Sequence, residues 1–491
     1  MKKLMQRRWQ RSWGRACVAV ALSLSLGALS GCDSLLDVDL PAQLTDDALE
    51  DPAGATVQVN SIIAHFDDAY DFHAYRTLGR EEGGEVYLCG PMCDVSNYVT
   101  DYGHFTPFNR SLEFNRHLRK KLTENWTVQQ VPLKDRYLAI SSIYEGATLS
   151  VFGMNLCEIT INGGKKQTPT EILNQADVVL TRALAEIQTA GDFAVLNGIA
   201  TSARTMTYGL RAQVRWFKGD NAGAAADAAL VPAGFTAWVT REVGPARQNR
   251  GWTSGTGGGF FELYDPIDWW QGLANPVTGK AWPTVIPFTG WTYLGILPDG
   301  RAVRDDGIPI RTRAGWHNAQ GVTAGAVRDT RVPHQTALIQ GKATSQGEVA
   351  TKFTGEGSDI ALVNWKEMVL IRAEIAGGQQ AIDLVNTLRT ADNLPRVTYA
   401  DPTKATQIKY MIWEERRRTL FSEARFFYTK LKNLDVFWFP RDNGGTRGQR
   451  RALGGGIRYT MPTDEYIANR NLSPADKATG CAVNERPLNP R

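Results

Sequence analysis

Residues 414–432 read EERRRTLFSEARFFYTKLK, a stretch in which a block of charge runs straight into an apolar one. Ile408, Ile412, Leu420, Ala424, Phe427, Leu431 and Leu434 recur at helical spacing through and around it, which predicts one long amphipathic helix. Asp401-Pro402 supplies its start, an N-cap followed by proline at the first helical position. Arg416 and Glu423 share the mainly apolar face of that helix. A buried charge without a partner is costly, so both are expected to be paired inside the protein and neither is assigned to a ligand.

Further helices precede it. Residues 363–376 and 379–391 are helical by pattern and meet at Gly377-Gly378, with Ala381, Leu384, Val385 and Leu388 forming a stripe in the second. Residues 202–218 carry Met206, Leu210, Val214 and Phe217 at helical spacing, stop at Gly219-Asp220 and restart at once over an alanine-rich 221–230. A helix, a tight turn and a small-residue helix form a tetratricopeptide-type unit, and such units must stack to bury their faces. Residues 169–187 show the stripe Ile172, Ala176, Val179, Ala183 and Ile187. Helical patterns also cover 133–156, 112–122 and 45–70, the last with a break expected at Asp51-Pro52. The fold class is therefore mainly α, a tetratricopeptide-like helix-pair scaffold.

Two stretches do not fit it. Residues 79–109 are rich in Gly, Asp, Asn and Tyr without a period and read as a long loop. Residues 232–360 hold many Gly and Pro, turns such as Pro298-Asp299-Gly300, and half of the chain's 14 tryptophans. They read as a loop-rich, aromatic-rich insert with short strands.

The N-terminus has its own logic. Lys2, Lys3, Arg7, Arg8, Arg11 and Arg15 form a basic region, followed by an apolar run over 16–29 and then Leu29-Ser30-Gly31-Cys32. That order is a lipoprotein signal over 1–31, with Cys32 as the lipidation site and 32–44 as a lipid-proximal tether. Removing the signal takes six of the 55 basic residues, leaving 49 against 51 acidic and a formal charge of −2. Nucleic-acid binding then has no compositional support. Of the six cysteines, Cys89, Cys93, Cys157 and Cys481 remain, an even number in an exported chain. Cys89-Gly-Pro-Met-Cys93 can close on itself, which leaves Cys157 and Cys481 as a second pair. A metal site is the rival reading, but His104 completes no ligand spacing there.

Several short motifs resemble the SusD/RagB family of nutrient-binding outer-membrane lipoproteins. The quoted stretch, with Glu415-Arg416, Leu420, Glu423 and Arg425, is similar to that family's E-R-x-x-E-L-x-x-E-G-x-R-x-x-D-L. WKEMVLIRAEIA at 365–376, LVNTLRTADNLP at 384–395 and YTMPTDEYIANRNL at 459–472 resemble its neighbouring segments in the same order. Asp329 and Arg331 stand where the family often has D-P-R. Thr419, Ala424, Thr429 and Arg470 depart from the pattern, Ala424 at its glycine. The resemblance implies a SusD-like organisation, with an N-terminal helical region at 45–231 carrying the ligand-side loop 79–109. The insert follows at 232–360 and a C-terminal helical region at 361–491. It also implies an outer-membrane, lipid-anchored location facing the cell surface and a SusC-like TonB-dependent transporter as partner.

Sugar rings offer apolar C–H faces to indoles and phenols and hydroxyls to Asn, Asp and Arg. The expected ligand contacts are Tyr87, Asn97 and Tyr98 in the early loop and Trp252, Trp270, Trp291, Tyr293 and Trp316 in the insert. The bound nutrient is expected to be a glycan, with a peptide as the other candidate. No H-E-x-x-H, nucleophile elbow or phosphate loop is present, so no catalytic residue, metal or cofactor is expected and the chain is read as a non-enzyme. Two alternatives stand beside this reading: a surface glycoside hydrolase using loop carboxylates such as Asp67, Asp68, Glu81, Glu82 and Glu85, and a lipid-tethered tetratricopeptide scaffold for protein partners.

Overall fold

The computed structural model describes residues 49–80, 85–86, 105–253, 261–262, 293–296, 302–304, 331, 333–338, 346–394, 396–397, 400–433 and 458–479. The chain divides into two compact units, residues 1–54 and 55–491. Of the first, one 3-10 turn over Pro52–Gly54 is described, with the Ala53 N–H donating to Asp51 Oδ1 at 2.9 Å. This is the break expected at Asp51-Pro52.

The second unit is mainly helical. Its helices are α1 (Ala55–Arg80), α2 (Phe105–Lys120), α3 (Lys134–Asn155), α4 (Pro169–Ala190), α5 (Ala203–Lys218) and α6 (Asn221–Ala229). After the insert come α7 (Trp365–Ala376), α8 (Gly378–Ala391), α9 (Ala405–Thr419), α10 (Phe426–Lys432), α11 (Thr463–Ala468) and α12 (Pro474–Thr479). Each helix from α1 to α9 packs on the next in order, and α6 packs on α7 across the insert, so the chain stacks helix upon helix as repeat scaffolds do.

Local sequence explains the boundaries. Thr168 and Glu171 form a reciprocal capping box with Pro169 at the first position of α4. Ser202 accepts from the Thr205 N–H to start α5, and Gly219 ends it in the left-handed conformation at φ 86°. Asp220 then accepts from the Gly223 N–H and opens α6. Helix α3 is buried on nearly all sides, which explains its lack of a polar face. A Cβ added at Gly146 would stand 2.6 Å from Leu180 Cγ of α4, so glycine there permits the close approach of the two helices.

The insert leaves and returns through one pair of strands. β2 (Thr236–Val239) runs antiparallel to β8 (Ile360–Asn364), with Thr236 opposite Asn364 and Val239 opposite Ile360. The Trp365 N–H donates to the Phe235 carbonyl at 3.0 Å, closing the neck against α7. Asn364 caps α7 by accepting from the Lys366 N–H at 3.0 Å. Residues 360–364 are thus strand, where the helical pattern placed the start of a helix at 363.

The quoted stretch differs from its expectation in one respect. α9 ends at Thr419 and α10 begins at Phe426, with Ser422 at φ 62° and Ala424 at φ 60° between them. The apolar spacing continues across the break because Leu420, Phe427 and Leu431 are all buried, so periodicity could not reveal it. Ala424 adopts a left-handed conformation that favours glycine, at the position where the family's pattern has glycine. The start also differs: Lys404 is the N-cap, and Asp401 accepts from Thr403 N–H at 2.8 Å and Oγ1 at 2.7 Å in a turn.

The charges of this stretch are internal, as expected. Glu415, Arg416, Arg417 and Arg418 are all at most 2% exposed. Glu415 receives Arg331 Nη1 at 2.5 Å and Arg389 Nη1 at 2.7 Å, joining the end of the insert to α8. Arg416 stacks on the Trp216 ring at 4.1 Å and meets Glu374 Oε2 at 3.3 Å. Glu423 accepts from Lys352 Nζ at 2.7 Å and Asn364 Nδ2 at 3.3 Å, and its carbonyl accepts from Tyr70 Oη of α1 at 3.2 Å. His73 of α1, paired with Tyr428 Oη at 2.8 Å, is pushed down to about 3 by burial and by the charge of Arg425.

Cys157 is disulfide-bonded and buried; Cys89, Cys93 and Cys481 lie outside the described residues, as do Cys32, the signal and the tether. Glu415→Gln strips the countercharge from two buried guanidinium groups and should cost about 3–5 kcal/mol in chemical denaturation. Gly146→Ala should cost about 1–3 kcal/mol in the same measurement, through overpacking against Leu180.

Candidate functional site

The middle of α1 carries Asp67, Asp68 and Asp71, and the segment that follows β2 is laid across it. The Thr240 N–H and Oγ1 donate to Asp67 Oδ2 at 3.0 and 2.8 Å. Arg250 places Nη1 at 2.7 Å from Asp71 Oδ2 and 2.9 Å from Asp68 Oδ1, with its guanidinium 5.0 Å from the Phe72 ring centre. Arg241, its side chain wholly buried, stands 3.5 Å from Asp71 Oδ2, and Arg247 stands 3.6 Å from Asp67 Oδ2. Three carboxyl groups thus meet three guanidinium groups, and Arg247 also pairs with Glu242 at 3.2 Å.

The returning end of the insert is tied to the same base. Asp359 Oδ1 accepts from the Arg241 N–H at 2.8 Å and Glu356 Oε2 from the Gly244 N–H at 2.9 Å. Asn249, fully buried, donates Nδ2 to the Ser358 carbonyl at 2.7 Å and accepts from the Trp252 N–H at 2.8 Å. That bond caps the single helical turn Arg250–Trp252. Both arms of the insert are therefore tied together over the middle of α1, well before that helix ends at Arg80.

Strands join the two irregular segments. β1 (Glu85–Val86) pairs antiparallel with β3 (Phe261–Glu262), β3 with β7 (Gln346–Ala350), and β7 with β6 (His334–Leu338). The early loop thus contributes a strand to a sheet otherwise built from the insert. A separate hairpin pairs β4 (Tyr293–Ile296) with β5 (Ala302–Arg304).

Among the expected ligand contacts, Trp252 is half-buried against the main core beside the charge cluster. Tyr293 opens β4, opposite Arg304. Tyr87, Asn97, Tyr98, Trp270, Trp291 and Trp316 lie outside the described residues. Asp67, considered as a hydrolytic carboxylate, is wholly buried and bonded to Thr240, while Asp68 is held by Arg250. The charge cluster was not anticipated. Its signal was present in the acidic triplet at 67, 68 and 71 and the three arginines between 241 and 250, but nothing local links segments so far apart in sequence. At the neck, Trp238 is 36% and Val243 84% exposed, an apolar lip absent from the candidates chosen by sequence. Among the described residues, no group of three or more His, Cys, Asp or Glu side chains could hold a metal ion, and no helix is long and apolar enough to cross a membrane.

No protein-family model matches the chain, and no curated protein matches it in sequence. Solved structures do match in shape. A SusD-like carbohydrate-binding protein from Bacteroides vulgatus ATCC 8482 superposes with a TM-score of 0.53 at 14% identity, covering 86% of this chain and 97% of that one. A SusD-like carbohydrate-binding protein from Bacteroides fragilis NCTC 9343 gives 0.53 at 11% identity, over 79% and 88%. A SusD superfamily protein from Bacteroides vulgatus ATCC 8482 gives 0.50 at 11% identity, over 78% and 88%. The scaffold and its interrupted helices define a mainly α helix-pair fold. That fold is the one shared by SusD-like proteins.

The cluster has a pH signature. Burial pushes Asp67 up to about 7, against the hydrogen bonds of Thr240 and the charges of Arg241 and Arg247. The unfolded chain ionises this carboxyl from its ordinary value of 3.8, while the folded chain keeps it protonated to about 7. Stability contributed by Asp67 is therefore present below the lower value, falls as pH rises between the two, and is constant above. Urea midpoints at pH 4.5 and 7.5 should fall more steeply for the parent chain than for Asp67→Asn.

Proposed function

We propose that the chain binds an oligosaccharide at the cell surface and passes it, chemically unchanged, to a SusC-like TonB-dependent transporter, while Cys32 anchors it by lipid to the outer membrane. The observation that carries this reading is the fold shared with two SusD-like carbohydrate-binding proteins of Bacteroides over most of this chain. The architecture supports it. The helical scaffold holds the insert over α1, a strand pair joins the insert to the early loop, and those two segments concentrate Trp and Tyr side chains of the kind that stack on sugar rings. The lipobox and the charge balance of the chain without its signal agree with exposure outside the cell.

Two measurements test it. Purification from native membranes in mild detergent should recover a large β-barrel transporter at stoichiometric yield. The soluble chain without its lipid should bind glycans, and alanine at one or more of Trp252, Trp270, Trp291 and Trp316 should weaken binding about tenfold, the loss of one stacking contact worth about 1.4 kcal/mol. A chain that binds neither glycan nor peptide and recruits no barrel would sink the reading. Steady release of reducing ends, lost on replacing one carboxylate, would replace it with the hydrolase.

A further inference from the structure

A second cavity lies in the helical scaffold, apart from the neck. Its volume is about 370 Å³, within the range of small-molecule sites. Ile375, Ile408, Ile412 and the ring of Trp216 supply an apolar wall. Three helices begin at its rim: α6 at Asn221, α8 at Gly378 and α9 at Ala405. Asp220 caps the first, but neither α8 nor α9 has a side-chain cap, so first-turn N–H groups of both are left to another acceptor.

The charges at the cavity also favour an anion. Glu374 is the wall's one carboxylate and is already matched by Arg416 Nε at 3.3 Å. Lys409 and Lys432 are also in the wall. Lys409 lies over the Trp413 ring at 4.9 Å, and Lys432 donates to the Trp216 carbonyl at 2.7 Å. Burial holds Lys432 below its ordinary range; Glu374 pulls the other way, while Arg416 and Lys409 push further down. Trp216 is 2% exposed and its Nε1 has no hydrogen-bond partner, an indole donor in the buried part of the wall with nothing to satisfy it.

We propose that this cavity is a second binding site, for a small organic oxyanion whose charged head meets Lys409, Lys432 and the starts of α8 and α9 while its apolar body rests against Trp216 and the three isoleucines. A neutral molecule of the same shape would fill the wall but bring no countercharge to the two ammonium groups and the uncapped helix starts. The site is independent of glycan capture, because it uses no residue of the neck or the insert.

Calorimetry on the full mature chain with benzoate, phenyl phosphate and benzamide tests the site. Saturable one-to-one binding of benzoate or phenyl phosphate is expected, with benzamide at least tenfold weaker, and the tighter of the two anions identifies the headgroup. Lys409→Met should weaken that binding at least tenfold. Ala405→Glu, which adds a carboxylate at an exposed helix start, should abolish it while the thermal midpoint stays within a few degrees of the parent. No saturable anion binding, equal binding of benzamide, or unchanged affinity in a folded Ala405→Glu variant would each overturn the proposal.

Discussion

Four consecutive charged side chains, Glu415 to Arg418, are sealed from water, and the rest of the C-terminal half is arranged to meet their needs. Desolvating such groups costs several kcal/mol each unless partners arrive with good geometry. Those partners come from distant segments: Arg331 from the end of the insert, Arg389 from α8, Glu374 from α7 and the Trp216 ring from α5. Glu415 answers two guanidinium groups at once, so its loss removes the carboxylate they share. The stretch therefore acts as a checkpoint on correct assembly more than as a source of net stability, because an apolar core of equal volume would serve stability as well.

The second constraint is the cluster on α1. Its three carboxylates receive guanidinium groups from the outgoing arm of the insert, and the returning arm is hydrogen-bonded to the same backbone. Placement of the insert's base thus follows from one helix, which is itself pinned to the C-terminal region through Tyr70 and His73. A long-range chain of contacts connects the charged motif to the neck.

Much of the scaffold was legible in the sequence, since helices such as 169–187 and 202–218 carry clean periodicity, caps and a terminal glycine. The turn at 420–425 was hidden because buried residues on both sides keep helical spacing, and only Ala424 in a glycine position hinted at it. Asp401-Pro402 misled because a side chain that accepts from backbone amides serves a turn as well as a cap. α1 runs ten residues past its expected end, and periodicity could not show it because the residues buried there, Asp71, His73 and Thr77, are polar and break the apolar stripe. The assignment of Arg416 and Glu423 to the interior held, for the reason given: charge on an apolar face must be answered from within. The aromatic candidates rest on composition alone, and the clamp at the base of the insert left no local signal in the sequence.

The neck formed by β2 and β8 has an evolutionary consequence. Neighbouring strands lie about 5 Å apart, so the two ends of the intervening segment start and finish side by side whatever its length. Closing a longer or shorter excursion between them changes the entropy by only about 0.6 kcal/mol per doubling. The intervening segment can therefore be lengthened, trimmed or exchanged as a cassette while the helical stack beneath it stays intact. In such a design the insert can diverge quickly on a chassis that hardly changes.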